Sequence, residues 1–162
     1  MTSTEGGPPG EQIARLLRFL RTPSSAVQAV WKRYPVGSFD LRCRFDIFSR
    51  PAYAYGVQQG AYLASRLGLP AISVIEFGVA GGRGLVALEE IARLASRAYG
   101  IKIEVYGFDR AVGLPKTSDF RDLPYTWEEG FFEMNVDELR SRLNDASLVL
   151  GDIAETVPTF VD

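Results

Sequence analysis

An acid stands near the end of an apolar run, and glycines follow it: Val74-Ile75-Glu76-Phe77-Gly78-Val79-Ala80-Gly81-Gly82-Arg83-Gly84. Ala71 to Phe77 has the make-up of a buried strand, and a helical pattern begins at about Leu85. Gly78, Gly81, Gly82 and Gly84 fill the turn between them. Glycine lets a backbone turn tightly and lets a ligand approach without meeting a Cβ. A carboxylate at a strand's C-terminal end lies in the crevice where open α/β sheets bind ligands. The chemistry on offer is the binding of a nucleotide-like ligand beside a negative side chain.

Two ligand classes compete for the turn. Gly82-Arg83-Gly84-Leu85-Val86-Ala87 fits G-x-G-x-x-G/A, the dinucleotide pattern, and so points to an NAD-dependent oxidoreductase. A pyrophosphate site, however, wants the strand to run straight into the first of those glycines, and here Gly78 to Gly81 intervenes. Glu76 would also repel a pyrophosphate, whereas it suits a cationic ligand such as S-adenosylmethionine, which carries an amino group and a sulfonium. A tight βα turn without a ligand is the plain alternative. Asp109, at the end of a second strand, could accept both ribose hydroxyls of an adenosine ligand, or act only as a cap or turn former. Asp152, after a third strand, could accept the adenine amino group while Ile153 packs on the ring, or make a simple Asx-turn.

The elements that must position these acids follow from periodicity and turn residues. Apolar residues at 13, 16, 17 and 20 predict a helix over 12–21, after a polar, Gly/Pro-rich tail over 1–10 expected to be disordered. Ser25 is placed to N-cap a helix from Ala26 to about Arg33. Residues 35–50 read as irregular, pinned to the core by Phe39, Phe45 and Phe48. Pro51 suits the first turn of a helix from Ala52 to Leu67, which Gly68 and Pro70 stop. Then come a strand over 71–77, a helix over 85–99 with apolar residues at 85, 88, 91, 92 and 95, and a strand over 101–108. One helix between two strands gives a right-handed βαβ unit with parallel strands. A long segment over 109–135 precedes a short helix at 136–143 and a third strand at 147–150; residues 154–162 read as a helix or a loop.

The chain has 162 residues, enough for one domain with a real core, and a net charge of −2, which carries no global signature of nucleic-acid binding. Its first 50 residues hold eight Lys and Arg against four acids, read as a solvated helical face before a partner or membrane surface. Cys43 is the sole cysteine and there is no histidine, which removes disulfides within the chain, His-based triads and zinc sites. The single cysteine favours a reducing, cytoplasmic setting. No apolar run reaches the ~18 residues of a membrane span.

Three stretches resemble a known family. Glu76-Phe77-Gly78-Val79-Ala80-Gly81-Gly82 is similar to the first motif of class I S-adenosylmethionine-dependent methyltransferases. Tyr106-Gly107-Phe108-Asp109-Arg110-Ala111-Val112-Gly113-Leu114-Pro115 resembles the F-D-x-x-x-G-L-P signature of the macrocin O-methyltransferase type. Gly151-Asp152-Ile153-Ala154-Glu155-Thr156-Val157-Pro158 is similar to that branch's later G-x-x-x-x-T-(L/V)-P segment. The resemblance implies that Glu76 and the loop Gly78 to Gly84 hold the methionine part of the cofactor, that Asp109 binds ribose, and that Asp152 and Ile153 face adenine. It also implies a covering role for Tyr53 and Tyr55 on the helix before the first strand, although both also read as core aromatics.

Arg110-Ala111-Val112 departs from the branch's usual small and aromatic residues. The branch carries its metal-binding acids and catalytic base on strands beyond the third, so no catalytic residue and no metal ligand is named here. The expectation is an α/β fold: a helical segment over 11–50, then over 51–162 the first half of a Rossmann-like methyltransferase domain, a truncated form of a longer enzyme. It would methylate a small-molecule acceptor, with a hydroxyl favoured. The remaining reading is a non-catalytic cofactor-binding fragment that needs a partner or its missing half, since half a sheet exposes an unpaired edge; a homo-oligomer is a separate expectation.

Overall fold

The computed structural model describes residues 23–117 and 119–161. The tail over 1–10 and the helix over 12–21 lie outside the described residues.

Among the described residues three helices come first. α1 (Ser25–Arg33) is capped by Ser24, whose Oγ accepts from the Val27 N–H; the cap lies one residue earlier than expected, because Ser24 has the extended ψ that a cap needs. α2 (Phe39–Arg44) falls inside the segment expected to be irregular. Six residues are too few to show a helical period, and its start is marked only by Ser38, whose Oγ accepts from the Leu41 N–H at 3.2 Å. Phe39 and Phe48 bury their rings against each other, 5.4 Å between centroids, while Phe45 is half-buried under Trp31. Asp40 accepts from the Gln58 amide at 2.7 Å and from the Tyr99 hydroxyl, tying α2 to the two long helices. α3 (Pro51–Leu67) starts on its proline and ends on Gly68 in the left-handed conformation.

The remainder is a parallel βαβαβ unit. β1 (Ala71–Phe77), α4 (Arg83–Tyr99), β2 (Lys102–Asp109), α5 (Val136–Arg142) and β3 (Ser147–Leu150) follow in order, and α6 (Ile153–Val161) closes the described chain. The sheet order is β1-β2-β3, with Val74 beside Val105 and Phe108 beside Val149. Parallel neighbours in sequence order, each joined by a crossover, are the arrangement found within doubly wound α/β sheets.

α4 sets its apolar stripe, Leu85, Leu88, Ile91, Ala92 and Ala95, into the core against α3 and β2. α6 lays Phe160 across the other face, 4.8 Å from the Tyr106 ring and 5.2 Å from that of Phe108. β1 is less buried than its composition suggests. Its residues alternate, with Ile72, Val74 and Glu76 turned inward and Ser73, Ile75 and Phe77 exposed. The reason is one-sided cover: α3 and α4 pack on one face of β1, while α6 on the other face lies over β2. No helix of the described residues is long and apolar enough to cross a membrane.

Candidate functional site

The C-terminal ends of the three strands bring Glu76, Asp109 and Asp152 to one edge of the sheet, joined by backbone. The Gly78 N–H donates to Phe108 O at 2.9 Å, and the Gly151 N–H donates to Asp109 O at 3.0 Å. Gly78 and Gly82 both hold positive φ, +82° and +75°, so the turn uses glycine where side chains are strained. At Gly82 a Cβ would also strike the buried Leu139 of α5. Ala80 takes φ +49° as well, an uncommon conformation for a residue with a side chain.

Glu76 is the centre of the site. Its Oε1 accepts from the Tyr53 hydroxyl at 2.8 Å, and its Oε2 is buried without a partner. Burial pushes its carboxyl above the ordinary 4.5; the Tyr53 hydroxyl and the nearby Arg50 oppose that shift without cancelling it, and Asp109 adds to it. Tyr53 is raised in turn, first by its hydrogen bond to Glu76 and then by burial. Gly84, on the first turn of α4, leaves the room the carboxylate occupies: a Cβ there would collide with Glu76 Oε1. Beside the pair a cavity of about 380 Å³ opens between α3 and β1, lined by Tyr53, Gly56, Val57, Ile75 and Phe77 among others.

Asp109 holds a turn, the plainer of its two sequence readings. Its Oδ2 accepts from the Val79 and Ala80 N–H groups at 2.7 and 2.9 Å, and its Oδ1 accepts from the Ala111 N–H at 2.7 Å. It is the clamp that holds the glycine turn. Three of its roughly four acceptor positions are used, which leaves capacity for one further donor in this conformation rather than for two ribose hydroxyls.

Asp152 caps α6. Its Oδ1 accepts from the Ala154 N–H at 2.9 Å, while Oδ2 lies 3.9 Å from Arg110 Nε and stays open to solvent. Ile153 beside it is 40% exposed. Gly81 is exposed, and its carbonyl accepts from Arg142 Nη1 at 3.1 Å. Tyr55 is not brought to the site. Two residues along a helix is about 200° of rotation, so with Tyr53 on Glu76, Tyr55 is turned to solvent and is 65% exposed.

A further acid has no sequence motif to mark it. Glu89 of α4, only 9% exposed, accepts from the Asn144 and Ala146 N–H groups at 2.9 and 2.7 Å, and from that of Asp145. Burial alone would raise its pKa, but these N–H groups outweigh burial and hold it below the ordinary value. It fixes the turn into β3. Another cavity, about 860 Å³, runs past Glu89 toward Lys102 at the start of β2, away from the C-terminal ends of the strands. In that groove Glu89 is satisfied by backbone and Lys102 by Glu104 at 2.6 Å.

No family model matches this chain, and no curated protein does. Among solved structures the chain is similar to the crystal structure of CalS11, a calicheamicin methyltransferase. The identity is 20%, the match covers 99% of this chain and 68% of that one, and the TM-score is 0.49. So distant a likeness adds nothing to what the geometry of the strand ends supports by itself.

Proposed function

We propose that the chain binds S-adenosylmethionine at the C-terminal edge of β1–β3, as the cofactor-binding part of a methyltransferase acting on a small-molecule acceptor, most simply at a hydroxyl. The observation that carries this reading is the buried, unpartnered Oε2 of Glu76 beneath a turn stripped of side chains. A buried acceptor without a donor is costly, and a ligand ammonium removes that cost with a charge-assisted hydrogen bond. Glu76 would hold the amino group of the methionine part, with Tyr53 fixing the other oxygen. Gly78, Gly81, Gly82 and Gly84 would let the ligand lie close to the backbone. Asp109 would position the turn and accept one ribose hydroxyl with its remaining capacity. Asp152 and Ile153 would flank adenine, the acid through Oδ2.

Bound there, S-adenosylmethionine supplies an electrophilic methyl group on sulfur. Methyl transfer depends chiefly on alignment of that methyl with the acceptor, so the contribution of these residues is to bind and orient. A dinucleotide fits less well. Gly84, the second glycine of that pattern, gives its space to the Glu76 carboxylate, and that carboxylate opposes a pyrophosphate. Titration calorimetry with S-adenosylhomocysteine and with NADH separates the two. Binding of the first and not the second is expected; binding of NADH alone overturns the proposal.

A further inference from the structure

Among the described residues two exposed surfaces have complementary chemistry. The first is α1. None of its residues is buried, and among the described residues it is held along one side, where Trp31 packs on Phe45 and Gln28 reaches the Phe45 carbonyl. Val27, Val30 and Tyr34, three and four residues apart, form a solvent-facing stripe; Val30 is 62% and Tyr34 68% exposed. Lys32 and Arg33 flank it, α1 holds no acid, and neither cation makes an ion pair among the described residues.

The second surface is the lobe between β2 and α5. It leaves the sheet just after Asp109 and returns at Met134, whose N–H donates to Ala111 O at 2.9 Å. A second clamp, Leu114 N–H to Phe131 O at 2.8 Å and Gly130 N–H to Leu114 O at 3.0 Å, makes it a closed projection. Gly113 is packed so tightly on Gly130 that a Cβ there would strike the Gly130 carbonyl. Its surface is aromatic, with Phe120 and Tyr125 each 79% exposed and Trp127 stacked at 5.5 Å on an exposed Phe132. Over 111–134 the lobe carries five acids against Lys116 and Arg121, and Arg121 is already paired with Asp119. Glu128, Glu129 and Glu133 are exposed and make no ion pair among the described residues.

From this we infer that the chain associates with itself, the apolar and basic stripe of α1 in one copy docking on the aromatic, acidic lobe of another. Each copy both gives and receives, so a twofold dimer or a ring closes with every α1 and every lobe covered. Burial of exposed apolar rings supplies the attraction, and opposite charges set the register and exclude α1–α1 and lobe–lobe contacts. The lobe rises from Asp109, so a docked α1 would stand beside the mouth of the ligand edge of the neighbouring copy. The inference does not depend on which ligand that edge holds.

Charge exchange on the full chain tests it. K32E/R33E reverses α1, and E128K/E129K reverses the lobe; all four residues are exposed, so circular dichroism should show both variants folded. In sedimentation velocity the wild type is expected above the 17.9 kDa mass of one chain, and each variant alone at that mass. Mixed in equal amounts, the variants should re-associate, because the reversed α1 of one meets the reversed lobe of the other and the native pair remains native. A monomeric wild type overturns the inference. So do association that survives both reversals, which would place the contact elsewhere, at the open β1 edge for instance, and a mixture that fails to recover.

Discussion

Replacing Glu76 with Gln should stabilise the fold and weaken ligand binding at once. In the folded chain one oxygen of Glu76 is bonded to Tyr53 and the other is buried without a partner. An unsatisfied buried acceptor costs about 1–3 kcal/mol, and more when charged. The side chain is only half-buried, so solvent screening lowers this to roughly 1 kcal/mol. The Gln carbonyl keeps the Tyr53 bond and removes the charge. For a chain of this size roughly 1 kcal/mol is about 2–4 °C in Tm.

The pH dependence has a definite sign. Burial raises the Glu76 carboxyl above its ordinary 4.5, so the folded chain holds a proton that the unfolded chain has released. The Glu76 contribution to stability is fully present below that ordinary value and is lost as pH climbs through the raised one. The advantage of E76Q should therefore be small in acid, grow through that window and level off above it. Binding should move the other way. With its carbonyl on Tyr53, the Gln turns an NH2 donor toward the ligand ammonium, so the charge-assisted bond is lost outright, at about 1.5–3 kcal/mol or roughly 10- to 150-fold in Kd. Thermal melts followed by circular dichroism and calorimetry with S-adenosylhomocysteine read the two effects. An E76Q variant that melts lower at neutral pH and binds as well as the wild type refutes the reasoning.

Three further substitutions probe the frame around Glu76. Gly84→Ala drives a Cβ into Glu76 Oε1 and should cost about 1–2 kcal/mol by overpacking, with ligand binding lost; melts and calorimetry report both. Asp109→Asn keeps one acceptor oxygen for a clamp that uses two, so hydrogen exchange at the Val79 and Ala80 amides should quicken before global stability falls. Glu89→Gln weakens a carboxylate bonded to three backbone N–H groups and should cost about 2 kcal/mol, or roughly 4–8 °C in Tm. Because the Glu89 pKa is lowered, its contribution is present above the ordinary 4.5 and is lost as pH falls through the lowered value, so the gap between wild type and E89Q should narrow in acid.

The strand and helix order was legible because glycine, proline and periodicity mark it. The apolar positions of α4 all proved buried, and β1 and β3 begin and end where their apolar runs do. What was not legible depends on neighbours distant in sequence. An apolar run predicts burial on both faces, but the exposure of Ile75 and Phe77 follows from the one-sided cover of β1. Tyr53 and Tyr55 are chemically alike, and only the rotation of α3 separates the one on Glu76 from the one in solvent. Glu89 reads as a solvated helix residue until the turn before β3 closes over it. Asp109 was recognised as an acid at a strand end. A ligand hydroxyl and a backbone N–H satisfy such an acid equally well, so its role as the clamp of the glycine turn needed the structure.

The central claim is that Glu76 and the glycine turn form a seat for a cationic adenosine ligand. Amide chemical-shift mapping of the full chain with S-adenosylmethionine tests it residue by residue. The account predicts that the largest shifts fall on Gly78 to Gly84 and on Asp109 and Asp152, and that they shrink strongly in E76Q at a ligand concentration near the wild-type Kd. Shifts confined to the groove between α4 and the start of β2, or shifts at the glycine turn produced by NADH and not by S-adenosylmethionine, would contradict it.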